Sequence, residues 1–231
     1  TKRTTMNNQT TMVVLANSAK LHGACIAGRL VDTAGNDVAW VRPVMDAAGG
    51  ALPVSRTICA DGHRVEVLDV VSMPLGDAVP QMHQRENRLL GVGTWTRHSA
   101  LGWSDLAEFA ERDGGLWHDG FSSSNGLNDR VPEAFLTNTE SSLKLVGCSG
   151  VVIHRAIDCF GRSRIRAYFQ YAGRNYDLAV TDPVAWALYG GKCSYEFAEA
   201  FLSVSLGQVF SGYAYKLVAA VITPERAGAT S

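Results

Sequence analysis

Arg162, Arg164 and Arg166 lie two apart in the chain, and Tyr168 and Gln170 follow at the same spacing. Residues two apart share one face of a β-strand. The spacing therefore predicts a strand over 162–171 that carries guanidiniums, a ring and an amide on one face and Ile165, Ala167, Phe169 and Tyr171 on the other. Arginines held side by side repel one another, and an anion relieves the repulsion. A phosphate backbone supplies such an anion, and Tyr168 offers a ring on which a base or sugar can stack. Carboxylates from elsewhere in the chain, solvent, or a protein partner would cover the same face. From Arg155 to Arg174 five arginines face one acid, Asp158, while the whole chain has a net charge of −1. Any contact with nucleic acid must therefore be local to this stretch.

Other side chains could extend or replace that site. Asn17-Ser18-Ala19-Lys20 follows an apolar run and offers an amide, a hydroxyl, an ammonium and backbone N–H groups to an anion. It lacks the glycines of a phosphate loop, and a turn that caps itself accounts for the same residues. Arg42, just before Pro43, joins Lys20 as a further candidate cation. Asn17, Ser18, Gln84, Glu86 and Asn87 form a candidate pocket set. Glu86 with Asp129 or Asp182 is the arrangement a general acid and base would need. Asp182 before Pro183 equally predicts a helix N-cap, and Glu86-Asn87 a loop bonded to its own backbone. Cys25 with His22 suggests a nucleophile and its base, and His22, Cys25, Cys59 and His63 suggest zinc. Cys25 sits in the apolar run Ala24–Ala27, however, which predicts an inert buried thiol. No metal and no cofactor are expected. The five tryptophans are expected mostly in cores, with stacking platforms as the alternative for some.

The elements that would position these groups are mainly strands. With 231 residues and 46% hydrophobic composition the chain can build one large or two small cores. Strands are predicted at 12–16, 24–31, 38–42, 64–72 and 89–95, with a polar turn over 17–23 and stops at Pro43 and Pro74. A helix is predicted over 104–112 and a Gly/Ser/Asn-rich loop over 119–130. Further strands follow at 142–147, 151–156, 162–171 and 176–181, the last two joined by a turn over Ala172-Gly173-Arg174-Asn175. Helices are predicted from Pro183 and over 195–201, and a final buried strand over 213–223. Short strands between Gly, Pro and Asn turns predict a mainly β fold with a few short helices. Two OB-like barrels in tandem fit this order: a flexible arm at 1–11, a first barrel at 12–115, a second at 116–223 and a tail at 224–231. Five scattered cysteines without a CxxC pair suggest a reducing, cytoplasmic setting. No apolar run reaches membrane-spanning length, so no membrane association is expected.

Several short segments, in order, carry a family resemblance. They are Leu15–Lys20 with Cys25–Gly28, Trp40–Pro43, Gln84–Asn87, Thr181–Pro183, Ser205–Gly207 and Tyr215–Ala219. Together they resemble the bacterial dual OB-domain proteins. The resemblance implies nucleic acid as partner, DNA or RNA, in a defence or nucleic-acid-modification setting, and the strand face of an OB barrel suits a single strand. It leaves open a nucleic-acid-modifying or nucleotide-modifying enzyme built on Asn17, Lys20, Cys25 and Glu86, and a non-catalytic module within a larger protein complex.

Overall fold

The structure, a computed structural model, describes residues 9–20, 23–112, 114–157 and 161–229, without the side chain of Lys20. Two six-stranded sheets follow one another along the chain. The first contains β1 (Gln9–Lys20), β2 (Gly23–Val31), β3 (Asp37–Val44), β4 (Asp69–Ala78), β5 (Asn87–Leu90) and β6 (Thr96–Ala100). A single helical turn, α1 (Leu106–Phe109), leads on. The second sheet contains β7 (Arg130–Pro132), β8 (Leu143–Ile157), β9 (Ser163–Tyr171), β10 (Arg174–Val180), β11 (Ser194–Phe210) and β12 (Tyr213–Ile222), with helix α2 (Pro183–Tyr189) between β10 and β11.

The two halves share one pairing plan. In the first, neighbours run β1-β2-β3-β5-β4 and return to β1, with β3 and β5 parallel. In the second they run β8-β9-β10-β12-β11 and return to β8, with β10 and β12 parallel. In each half a short helix follows the third strand: a 3-10 turn at Val54–Thr57 in the first and α2 in the second. The chain therefore consists of two OB-like barrels in tandem.

Strand patterning explains where the cores sit. In β9 Ile165, Ala167 and Phe169 are buried, and in β10 Tyr176, Leu178 and Val180 are. Phe169 and Tyr176 stack at 5.4 Å inside the second barrel. The β9–β10 hairpin turns through two residues, Ala172 and Gly173, both at positive φ (48° and 72°). That is the mirror-image turn whose twist suits a hairpin. β1 shows no alternation: Met12 to Ala16 are all buried. Met12 and Val14 face the first barrel's core, while Val13 and Leu15 join a separate cluster with Leu143, Leu145, Ala219 and Ile222 of the second half. A strand buried on both faces reads as a continuous apolar run. β12 behaves alike, with Val218 and Val221 in the second barrel's core and Ala219, Ala220 and Ile222 in the shared cluster. The barrels thus pack through β1 and β12, and Ala19 N–H donates to Thr181 O across the seam (3.2 Å).

Several local expectations are corrected. Residues 195–201 are strand, not helix. Phe197, Ala200 and Phe201 match helical spacing, but Tyr195 pairs with Ile153 and Phe197 with Val151 on β8, and that tertiary pairing prevails. The expected turn at 17–23 is strand as far as Lys20, and β1 already begins at Gln9. Pro43 and Pro74 lie within strands. Pro43 falls beyond the β2 ladder, which ends at Val41, and Pro74 lies at the end of the β1 ladder beside a register shift. Both are places where a missing N–H is tolerated. The strand expected at 64–72 begins at Asp69, and the two expected at 142–156 are the single strand β8. Trp95 and Trp40 are buried in cores, and Trp103, Trp117 and Trp186 pack against them while partly exposed. Among the described residues no helix is long and apolar enough to cross a membrane.

Candidate nucleic-acid interface

β9 is the second strand of the second barrel, and its outward face carries the arginine series. Arg162, Arg164, Tyr168 and Gln170 are exposed there, Tyr168 to 41%. In register across the sheet, Tyr168 sits between Val152 and Asp177, and Gln170 lies opposite Asn175. Arg174, at the start of β10, is exposed at the end of the same hairpin. Arg155, on β8, is exposed and donates to Ser163 Oγ (3.1 and 3.3 Å).

Arg166 differs from the expected exposed series: it is only 7% exposed. Its Nε donates to Asp177 Oδ1 (3.0 Å) and Nη2 lies 3.6 Å from Asp129 Oδ2. His154 Nε2 lies 3.1 Å from the same Asp177 oxygen. Asp129 arrives on the polar loop over 119–130, which is fastened to β10 by paired backbone bonds between Leu127 and Asp177. The loop fits because residue 126 is glycine. A Cβ there would lie 2.0 Å from Asp129 Oδ2 and 2.5 Å from Arg166 Nη2. Asp129 is anchored in turn by Ser123 N–H (2.7 Å) and Ser123 Oγ (2.6 Å). The loop thus lends a carboxylate to the last arginine of the series, Arg166, and leaves Arg162, Arg164 and Tyr168 on the surface.

Arg42 also departs from a surface role. It is 4% exposed, pairs with Glu86 (2.9 Å), and donates to Ser142 Oγ (2.9 Å), Asn87 Oδ1 (3.3 Å) and Ser205 Oγ (3.4 Å). Glu86 accepts from Ser142 N–H (3.2 Å) and from the Ser142 hydroxyl. This buried ion pair joins the first barrel to the second. His83 and Gln84 reinforce the seam: His83 Nε2 lies 2.8 Å from Gly207 O, and Gln84 Nε2 donates to Leu206 O (3.2 Å).

The candidate pocket set divides in two. Ser18 pairs in register with Cys25, and Ser18, Cys25, Arg42, Gln84, Thr181 and Ser205 line one cleft of about 280 Å³ between the barrels. Each of these six comes from a different stretch of chain. Asn17, one residue from Ser18 on a strand, points the other way: it donates to Val65 O (3.0 Å) and lines a different cavity with Glu66 and Arg226. Glu86 and Asn87 lie behind the cleft in the ion-pair network. The side chain of Lys20 and all of His22 fall outside the described residues, as do residues 1–8 of the expected arm. Asp182 caps α2 through Val184 N–H and Ala185 N–H (2.9 and 3.3 Å), and its second oxygen accepts from Val221 N–H (2.9 Å) and Arg226. Asp129, Asp182 and Glu86 are therefore each engaged in a separate network. His63 pairs with Asp69 (2.7 Å), and no three His, Cys, Asp or Glu side chains among the described residues cluster to hold a metal ion.

A family model described as a dual OB-containing domain matches residues 10–221. The chain belongs to that family. The match covers both barrels and the seam between them. No curated protein matches this sequence. A solved structure described as the tetrameric p202 HIN2 is similar at 8% identity, covering 94% of this chain and 93% of that one with a TM-score of 0.32. That likeness is too distant to bear on the site.

Proposed function

We propose that this dual OB-domain protein binds nucleic acid on the outward β9 face of its second barrel. Arg162 and Arg164 contact phosphates, Tyr168 stacks on a base or sugar, and Gln170 completes the surface. Arg166, on the same face, anchors the covering loop and β10 through Asp129 and Asp177. The supporting observation is the exposure of Arg162, Arg164 and Tyr168 at even spacing along and just before the second strand of an OB-like barrel. Barrels of this class engage oligonucleotides on the face of their second and third strands, and a positive strip with an aromatic ring suits a single strand.

The test is fluorescence-anisotropy binding of single- and double-stranded DNA and RNA across a salt series. Arg162→Glu/Arg164→Glu is the variant, and Tyr168→Ala its companion. Losing two phosphate contacts is expected to flatten the slope of log K against log salt by about 1.4 on single strands. Tyr168→Ala is expected to cost about 1–3 kcal/mol with little change in slope. A double variant that retains wild-type affinity and slope rules the face out.

A further inference from the structure

We infer that the cleft between the barrels is a pocket for one unpaired purine or pyrimidine base. This site is separate from the β9 face and does not depend on it. The first argument is charge. Among the described residues Arg42 is the only charged side chain on the cleft wall, and Glu86 already neutralises it. The described wall therefore offers a charged ligand no unpaired counter-charge and suits a neutral occupant.

The second argument is hydrogen bonding. Asn87 is fully buried, and its Nδ2 makes no hydrogen bond among the described residues. A buried donor of this kind calls for an acceptor. It lies behind Gly49, which lines the cleft at φ +73°. A Cβ built on Gly49 would meet Gln81 Oε1 at 3.2 Å, Asn87 Nδ2 at 3.5 Å and Gln208 Nε2 at 3.7 Å. Gln84 and Gln208 line the cleft, and the amides of Gln81 and Asn87 stand behind it at Gly49; the Nε2 groups of Gln81, Gln84 and Gln208 each hold one backbone carbonyl, of Ala47, Leu206 and Ala48. Each amide carries a donor and an acceptor, the pattern that reads the edge of a base. The third argument is size and lining. A volume of about 280 Å³ lies at the lower end for small-molecule sites, enough for a base or nucleoside, and the Tyr215 ring and Leu217 supply apolar wall. A free nucleoside and a base presented by a bound strand offer the same chemistry.

The test is equilibrium dialysis of the full chain against adenosine, guanosine, cytidine and uridine. At least one is expected to bind at one per chain. Ser18→Phe, which fills the cleft from a half-buried strand position, is expected to weaken binding at least about tenfold with its circular dichroism unchanged. Gln208→Ala, on the exposed rim, is expected to weaken it about three- to tenfold, and it decides the matter alone should Ser18→Phe fail to fold. Arg162→Glu/Arg164→Glu is expected to leave nucleoside binding unchanged. Loss of nucleoside binding in that variant, no binding of any of the four, or a folded Ser18→Phe that binds like wild type each overturns the inference. Displacement of the nucleoside by a single-stranded oligonucleotide assigns the base to a strand, and its absence assigns it to the free nucleoside.

Discussion

Glu86 is the place to test whether the two barrels are held as one body. Its carboxylate and Arg42 are 8% and 4% exposed, and both reach Ser142 at the start of the second barrel. Replacing Glu86 with Leu leaves the guanidinium buried without a counter-charge, which costs about 3–5 kcal/mol. Gln keeps an acceptor for Arg42 and for the Ser142 hydroxyl, so Glu86→Gln is expected nearer about 2–3 kcal/mol. Arg42→Met/Glu86→Leu removes both charges and is expected to cost less than Glu86→Leu alone, because two apolar side chains at a buried site avoid the uncompensated charge. The coupling energy of the cycle should reach about 2 kcal/mol or more. Urea unfolding followed by tryptophan fluorescence and far-ultraviolet circular dichroism measures all four proteins. Trp95 reports on the first barrel, and Trp117 and Trp186 on the second. Since a domain of this kind is stable by roughly 5–15 kcal/mol, the loss is well within reach. The reasoning is refuted if Glu86→Leu stays within about 1 kcal/mol of wild type, or if the double variant is simply the sum of the singles.

Two further predictions concern the same scaffold. Burial holds the His83 imidazole below its ordinary value of 6.5, and its Nε2–H donates to Gly207 O. The unfolded chain therefore binds the proton more readily, so His83's contribution is complete above pH 6.5 and is lost as the pH falls through the folded value. Urea midpoints between pH 7.5 and 5 should decline more steeply in wild type than in His83→Gln, and parallel curves would contradict this. Asp182→Ala removes the α2 cap and the carboxylate partner of Arg226, for about 3–4 kcal/mol together, whereas Asp182→Asn keeps the cap and should lose roughly half of that. Thermal denaturation of the two variants decides, and an equal loss in both would show that the cap contributes little.

How much of this was legible beforehand depends on how local each determinant is. Alternation over 162–171 and 176–181 marked β9 and β10, and Ala172-Gly173-Arg174-Asn175 marked their turn, which the structure narrows to Ala172-Gly173 because Arg174 already pairs with Tyr171. Asp182-Pro183 marked a helix start because a cap acts within three residues. The run Met12–Ala16 marked a strand, but its double burial depends on the second barrel and cannot be read from the run itself. Residues 195–201 misled because their spacing satisfies both periods, and partners on β8 some 45 positions earlier decide between them. At the site, Arg166 and Arg42 looked like their exposed neighbours. Asp129 covers the first from a loop whose packing rests on Gly126, and Glu86 neutralises the second from 44 positions away. Arginine identity and spacing carry the charge, whereas pairing across such separations is a property of the fold.

The shared pairing plan makes the two barrels comparable position by position, and the comparison argues for a division of roles. In each, the loop between the fourth and fifth strands stands beside the face where such barrels engage oligonucleotides. In the first barrel that loop, over 79–86, is committed to the seam, with His83 and Gln84 bonded to the backbone of β11 and Glu86 to Ser142. The equivalent loop in the second barrel is a tight turn at Ser211-Gly212, preceded by Phe210 at 70% exposure. The second barrel's turn stays within its own barrel, where Gly212 O accepts from Glu133 N–H, while the first has turned its loop into a brace and, with it, part of the wall of the cleft. A chain of net charge −1 binds no polyanion over its whole surface. Exposed Arg162 and Arg164 at β9, with Arg42 neutralised by Glu86 at the seam, give it a local positive face without a repulsive charge between the barrels.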